Sequence, residues 1–584
     1  MNEPKGHEAL RNLFRQEMRA LQEEGVTFAQ EYPEAASLLD PSRVDDRDPG
    51  VERLVEGFGF LNARIREATA REDAGLDAHL LDLFEDGLDR ILPSVLVFQA
   101  NPGSKQRDPV RLPRGSKFRT SGAGNAGCRF TLGHDLRIDP LVVAQARVEL
   151  DDRGTSSLDM ELRWAGETSD GWPDELPIFL HGDAPVIWSL RYGLSRRVDK
   201  IEVWTENALV GSGHLEFGAL DRPGYDGDSH AHPLSHARDF FCCDERFRFV
   251  VLRGLSSLGL PPIGTLRIRI HFDGAFPRAV VRGVSADTFR LHVGVAVNRY
   301  EDSCDGLIWD HTRSEMPLRI SRGTGQEILE VLAVESLTRS HPPRRTRYFP
   351  FSRYRHGSTT KSAFFTLHRR QDAMGRPMAM LALGWPDLAM VLEEESVAVH
   401  AAICDGNRPY EQTMGREFTP SDRSFPVDVD LTTLTRPTPV HRPPSRVEVH
   451  TRLMTMAASH FQGTLDAQRM RDSLRLFLWD PAEAKRTLID AIQDVSVDTG
   501  YSFQGGVHHP EQRVRIRLRD TTCTPDTWER LGVLDAFASI LGELVEEETP
   551  IGSRALTTVV VEPAGVELVV GSTREVKIGL TTGS

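Results

Sequence analysis

The feature that most limits how this chain can fold is a change of hydrophobic period at Ser94. Before it, apolar residues recur every three or four positions; after it, they come in short runs broken by glycine and proline. The first pattern gathers side chains on one face of a helix and the second spreads them over the faces of a sheet, so the two stretches cannot build the same layer.

In the first stretch, Leu10, Leu13, Phe14, Met18 and Leu21 share one helical face, while Arg11, Arg15, Arg19, Glu23 and Glu24 fall elsewhere. A second helix is expected to begin at Asp48-Pro49, where a carboxylate caps the first N–H groups and proline brings a φ that is already helical. Its stripe is Val51, Leu54, Val55, Phe58, Leu61 and Ile65. A third stripe, Leu76, Leu80, Leu83, Phe84, Leu88, Ile91 and Leu92, stops at Pro93, which cannot continue a helix.

Beyond Ser94, strands are expected at Val95–Phe98, Leu141–Leu150, Ile201–Trp204, Phe247–Leu252, Leu266–Phe272 and Leu291–Val297, with a helical insertion at Ala184–Leu194. Leu266–Phe272 alternates apolar and charged residues, as a sheet with one wet face requires. Thr435-Arg-Pro437-Thr-Pro439-Val-His-Arg-Pro443-Pro444 holds four prolines in eight positions and reads as an extended linker. Helices are then expected at Val447–Phe461, Ala467–Trp479, Asp480–Val495 and Asp526–Glu548, with a strand at Arg513–Arg519. A hairpin across Pro563-Ala-Gly565 closes the pattern. The expected class is α+β and multidomain. It comprises an N-terminal helical segment (1–94), a β-rich region in two sub-domains (95–430), a proline-rich linker (431–446) and an α/β C-terminal domain (447–584).

Charge and cysteine usage remove several function classes. Seventy basic against 85 acidic residues leave a formal charge of −15, and no basic stripe interleaved with aromatics offers a track for a phosphate backbone. Six cysteines without a C-x-x-C are too sparse for a disulfide framework and read as reduced thiols. The N-terminus is charged rather than apolar, and no run reaches the about 18 apolar residues that span a bilayer, so no membrane insertion is expected.

The candidate chemistry is thin. Gly122-Ala-Gly124-Asn-Ala-Gly127 fits G-x-G-x-x-G, but a helix should follow and Cys128–Thr131 reads as strand, so a surface loop is expected. His230, His232 and His236, with Asp226 and Asp228, sit in a Gly/Asp/Ser/Pro-rich stretch that offers metal ligands no fixed geometry. His508-His509 is expected in a glycine turn, and Cys242-Cys243 in a strand-like context that buries inert thiols. Glu546–Glu548 reads as a solvated run at a helix end, and G-x-S-x-G, H-E-x-x-H and the phosphate loop are all missing. No catalytic, cofactor or metal residue is assigned, and the chain is not expected to be an enzyme.

The residue identities add what periodicity does not. Glu17-Met18 with Leu21, Phe28-Ala29 with Tyr32-Pro33, Ala36 and Leu39, and Asp48-Pro49 through Ile65 together resemble the opening of the TssF family. This family, also called VasA or ImpG, supplies a baseplate subunit of the bacterial type VI secretion system. Similar blocks follow in order: Arg114-Gly115, Cys128–Thr131, Ile138–Leu141, Phe179–Asp183, Ala237–Phe241 with Glu245–Phe249, Gly254-Leu255, Asn298-Arg-Tyr300 and Cys404-Asp-Gly-Asn407-Arg408-Pro409. The chain departs from the family pattern at Asp244, where a proline is expected, at His450-Thr451, where a tryptophan is expected, and after about Val560, which marks a divergent member.

The resemblance implies a structural wedge subunit that joins TssG and further TssF copies through a helical core bundle. Its β-rich wings would reach neighbouring wedges, the VgrG spike, TssK, and TssE and the sheath, in a cytoplasmic baseplate docked at the inner-membrane complex. Phe14, Met18, Leu21, Leu54, Phe58 and Leu61 are then the candidate interface residues, each facing either a partner or its own bundle. Two alternatives stand beside this: the equivalent part of an extracellular phage-tail-like injection particle, and a carbohydrate- or nucleotide-binding enzyme on the β-rich region.

Overall fold

The fold is given by a computed structural model that describes residues between 11 and 571. The longest stretches outside the description are 22–49, 67–90, 219–232 and 443–464. Helices cover residues 13–21 and 53–66. Most of the third expected stripe, and all of the expected helix Val447–Phe461, lie outside the described residues.

A six-stranded sheet occupies the centre of the described chain. Its order is Phe418–Pro420, Lys117–Thr120, Arg129–Leu132, Val293–Val297, Val95–Pro102 and Val429–Thr433. The run Val95-Leu-Val-Phe98 is apolar throughout because alternate residues serve two cores. Leu96, Phe98 and Ala100 pack with Phe118 and Phe130 on one face, and Val95 and Val97 meet Phe179 and Phe249 on the other. Gly294 lies opposite Phe98 in register; a Cβ there would stand 2.6 Å from the Phe98 ring, so only glycine lets the ring cross the neighbouring strand.

The first lobe combines two sheets. One runs Ala208–Gly211, Val198–Thr205, Gly264–Phe272, Ser156–Trp164 and Leu141–Leu150; the other runs Glu216–Gly218, Phe249–Arg253, Glu175–Leu180 and Phe289–Arg290. The expected alternation holds: Leu266, Ile268, Ile270 and Phe272 are buried. Arg267 and Arg269 face outward and reach Asp159 across the ladder, Arg269 through Nε and Nη2 at 2.7 and 2.8 Å. Helix Ala184–Arg196 begins where expected.

The C-terminal unit shares this lobe's core, which extends without a break from Leu141 to Leu568. Strand Val507–Arg519 runs parallel to Arg554–Glu562, and helix Trp528–Glu548 crosses between them, a βαβ arrangement. The expected hairpin pairs Arg554–Glu562 with Val566–Gly571. Two expectations need correction. Residues Ile492–Val495 are not helical: the helix is Glu483–Asp490, and Ile492 opens a strand to Gln504 because Ile492, Val495 and Val497 lie opposite Leu518, Ile516 and Val514. His508 and His509 belong to strand Val507–Arg519 rather than to a turn, paired with Phe503 and Ser502.

The second lobe is an eight-stranded sheet with its own core of Val334, Tyr348, Leu381 and Val399. Its strands include Tyr300–Ser303, Leu307–Trp309, Glu327–Thr338, Arg345–Pro350 and Glu395–Cys404.

The proline-rich stretch is extended, as its composition requires, but it is packed rather than free. It continues past Val429–Thr433 along the edge of Val95–Pro102: Leu434 N donates to Val97 O at 2.9 Å, Thr438 N to Val95 O at 2.8 Å, and His441 N to Leu92 O at 3.0 Å. Prolines cannot supply a regular ladder. The Thr435 and Thr438 hydroxyls fill the gaps by accepting from the Val97 and Val95 N–H groups, at 3.2 and 2.9 Å. Val440 is buried with Ile91, Leu329, Ala402 and Cys404.

Candidate interaction surface

The six candidate interface residues fall on the two N-terminal helices, and the first packs Phe14 and Met18 over the smallest side chains of the second. Gly59 and Ala63, one turn apart, face inward; Ala63 is fully buried. A Cβ on Gly59 would stand 2.7 Å from Met18 Sδ and 3.4 Å from the Phe14 ring. Phe14 packs edge-on against Phe60, with centroids 6.4 Å apart, and the buried Glu17 carboxylate pairs with Arg66. Small residues let two helices approach closely, which explains why the contact runs through Gly59 and Ala63 rather than through the large stripe.

The consequence is a division among the candidates. Phe14, Met18 and Leu21 are half-buried, the first two against the second helix. Leu54, Phe58 and Leu61 point away from that contact and are 64, 61 and 57 % exposed, with Ile65 beside them at 61 %. Positions 54, 58, 61 and 65 are spaced at four, three and four residues, so these side chains form one continuous ridge on a helix. A ridge of four large apolar side chains exposed to this degree is unusual on the surface of a single chain.

Sequence reasoning missed a second exposed apolar feature. On strand Ile492–Gln504, Val497, Tyr501 and Phe503 follow the face of Val495, which packs against the core of the first lobe. Its neighbour Val507–Arg519 pairs with Arg554–Glu562 only from Glu511 onward, so opposite Pro510 and His508 the sheet is two strands wide, and Tyr501 and Phe503 are 74 and 66 % exposed. The signal was present as the alternation Val495, Val497, Thr499, Tyr501, Phe503.

Gly122, Gly124, Asp226, Asp228, His230 and His232 lie outside the described residues, and the other chemical candidates resolve as structure. The glycine-rich stretch 122–127 joins strands Lys117–Thr120 and Arg129–Leu132, which pair antiparallel, so the helix that a dinucleotide site requires is replaced by a strand. His236 is not in a loop: it lies on helix Pro233–Cys242, where its Nδ1 is 2.7 Å from Glu543 on the C-terminal helix. Pro233 suits the first turn of a helix, which the loop reading of this segment overlooked. Cys242 and Cys243 are buried, as expected, though they end a helix rather than lie in a strand. Among the described residues, no group of three or more His, Cys, Asp or Glu side chains is arranged to hold a metal ion. No described helix is long and apolar enough to cross a membrane.

Comparison with known proteins places the chain in a family and a fold. The family model for the type VI secretion system protein TssF matches residues 7–547. The type VI secretion system component TssF1 of Pseudomonas aeruginosa is 26 % identical over 275 residues, which are 42 % of this chain and 44 % of that protein. The match therefore spans less than half the length of that curated relative. A chain in the cryo-electron microscopy structure of the type VI secretion system TssK-TssF-TssG baseplate subcomplex superposes with a TM-score of 0.73 at 22 % identity, covering 91 % of this chain and 100 % of that one. A chain of the baseplate complex from the type VI secretion system gives 0.61 at 20 % identity, covering 96 and 98 %. These two structures share the fold.

Proposed function

The chain belongs to the TssF family of the type VI secretion system, and from that premise we propose that it is a structural wedge subunit of the baseplate. The observation that carries the proposal is the ridge Leu54, Phe58, Leu61 and Ile65, which is apolar, continuous and uncovered by the described chain. A TssG-type subunit is the partner we assign to it, through a shared helical bundle. A TssK-type subunit, a further copy of this chain, the VgrG spike, and TssE with the sheath complete the proposed surroundings. The family and the shared fold of the TssK-TssF-TssG subcomplex support this reading.

The role is mechanical. Apolar ridges hold the wedges together around the spike, and the β lobes carry contacts outward to neighbouring wedges and to the first sheath ring. The assembly lies in the bacterial cytoplasm, docked at the inner-membrane complex. Co-expression with TssG- and TssK-type partners tests the proposal: the intact chain should co-purify with both, and Phe58→Asp with Leu61→Asp should release the TssG-type partner while the chain itself stays folded. Retention of that partner by the double variant would overturn the assignment of the ridge.

A further inference from the structure

Two short sequence blocks that the interaction surface leaves unused, Asn298-Arg-Tyr300 and Cys404-Asp-Gly-Asn407-Arg408-Pro409, are more than one hundred residues apart and meet at one point. Asn298 follows the central-sheet strand Val293–Val297, while Tyr300 opens a second-lobe strand and Asp405 follows another. All three side chains are buried. Asp405 Oδ2 accepts from Asn298 Nδ2 at 2.9 Å and from the Arg129 backbone N–H at 3.1 Å, and Oδ1 accepts from the Tyr300 hydroxyl at 3.0 Å. In return, Asp405 N donates to Asn298 Oδ1 at 2.6 Å, and Asn298 Nδ2 also donates to Arg129 O at 2.6 Å.

Charge is balanced at the same place. The Arg129 guanidinium lies 3.6 Å above the Tyr300 ring and reaches Asp302 at 3.5 Å, and Arg408 stands 3.7 Å from Asp405. Gly406 has φ +59°, and a Cβ there would stand 2.4 Å from Gly325 O, so the Asp405-Gly406-Asn407 turn fits tightly and only as glycine. Asn407 Oδ1 then accepts from Val440 N at 3.0 Å, and Arg442 pairs with Glu327, tying the proline-rich strap to the same junction.

We infer that this cluster is a clasp that sets the angle between the central sheet and the second lobe and makes the two move as one body. Residues Asn298 and Arg299 alone connect the strand Val293–Val297 to Tyr300, and so short a covalent link fixes distance but not orientation. The orientation is carried by buried hydrogen bonds to a single carboxylate, where each lost partner leaves another polar group unsatisfied. On the proposed role as a baseplate wedge, the second lobe then transmits displacement as a rigid lever. The clasp itself is a property of the isolated chain and is testable without any partner.

The experiment places spin labels on Lys117→Cys in the central sheet and Ile308→Cys in the second lobe, both exposed, in the full chain; all six native cysteines are buried. A narrow distance distribution is expected, widening at least twofold when Asp405→Ala or Asn298→Ala is added while circular dichroism stays native. An unchanged width in folded variants overturns the inference. Should both fail to fold, Tyr300→Phe decides, because it removes one hydroxyl and keeps the ring beneath Arg129. Amide exchange at Arg129 and Asp405 should then quicken by about tenfold, the effect of one hydrogen bond to a charged group, with Val334 and Leu96 unchanged. Exchange that rises equally in both lobes, or nowhere, overturns the inference.

Discussion

Phe58→Asp separates the two roles a hydrophobic helix face can have. The ring is 61 % exposed in the isolated chain. With about 200 Å² of side-chain surface for a phenylalanine, about 120 Å² remains for a partner to cover. At about 25 cal/mol per Å², that area contributes about 3 kcal/mol to docking, which is a loss of roughly 150-fold in affinity when it is removed. The carboxylate adds a desolvation cost in the same direction. In the isolated chain, the same change touches neither Gly59 nor Ala63, and surface substitutions of this kind stay within about 0.5 kcal/mol. Two measurements therefore decide: titration of the variant against a purified TssG-type partner, and thermal unfolding of the variant alone. Weakened binding with an unchanged melting temperature is the expected pair. Ala63→Asp, which places a charge in the contact between the helices, should do the reverse and loosen the helix pair itself. Undiminished binding by Phe58→Asp, or a melting temperature several degrees lower, would refute the division of the stripe into covered and open residues.

Three further changes probe the body of the chain. Asp535 is buried between Arg191 and Arg196, each 2.7 Å away; removing it as Asp535→Ala strands two guanidiniums and should cost about 3–5 kcal/mol by denaturant titration. Burial opposes ionisation of this carboxyl, but Arg191 and Arg196 outweigh it and hold it below the ordinary carboxylate range. Its folded-state pKa is thus depressed, so its stabilisation is complete above the unfolded value of about 3.9. That stabilisation fades as pH falls through the folded value, and unfolding curves of wild type and Asp535→Ala should converge there. Gly532→Ala should destabilise the chain although alanine favours helices by about 1 kcal/mol, because the new Cβ would stand 2.1 Å from the Trp188 carbonyl oxygen; a higher melting temperature would contradict the close crossing. Thr438→Val should cost about 1–3 kcal/mol by leaving the buried Val95 N–H without its acceptor, whereas an unchanged unfolding midpoint would mean the strap's backbone hydrogen bonds and packing hold it without the hydroxyl.

What the sequence revealed and what it concealed divide along physical lines. Local period was legible: the helices at 13–21 and 53–66, the alternation of Leu266–Phe272 and the final hairpin all follow from spacing that each segment carries within itself. Ile492–Val495 was misread because a helix rule was run past Asp490 into residues whose partners lie on a strand more than twenty positions later. The proline-rich strap shows the same limit. Its composition announces an extended path, but whether such a path is solvated or packed depends on Val95 and Leu92, over three hundred residues away, and no local pattern encodes that distance. The clasp at Asp405 is more extreme, since its members are unremarkable polar residues until the fold joins them. The open ridge on the second helix has a different cause. An apolar stripe states that a face must leave water, which is a demand on free energy, but it does not state which surface meets the demand. Here the answer lay in the two residues the stripe omits. Gly59 and Ala63 are too small to contribute much burial, yet their smallness admits the neighbouring helix, and by doing so they turn Leu54, Phe58, Leu61 and Ile65 outward.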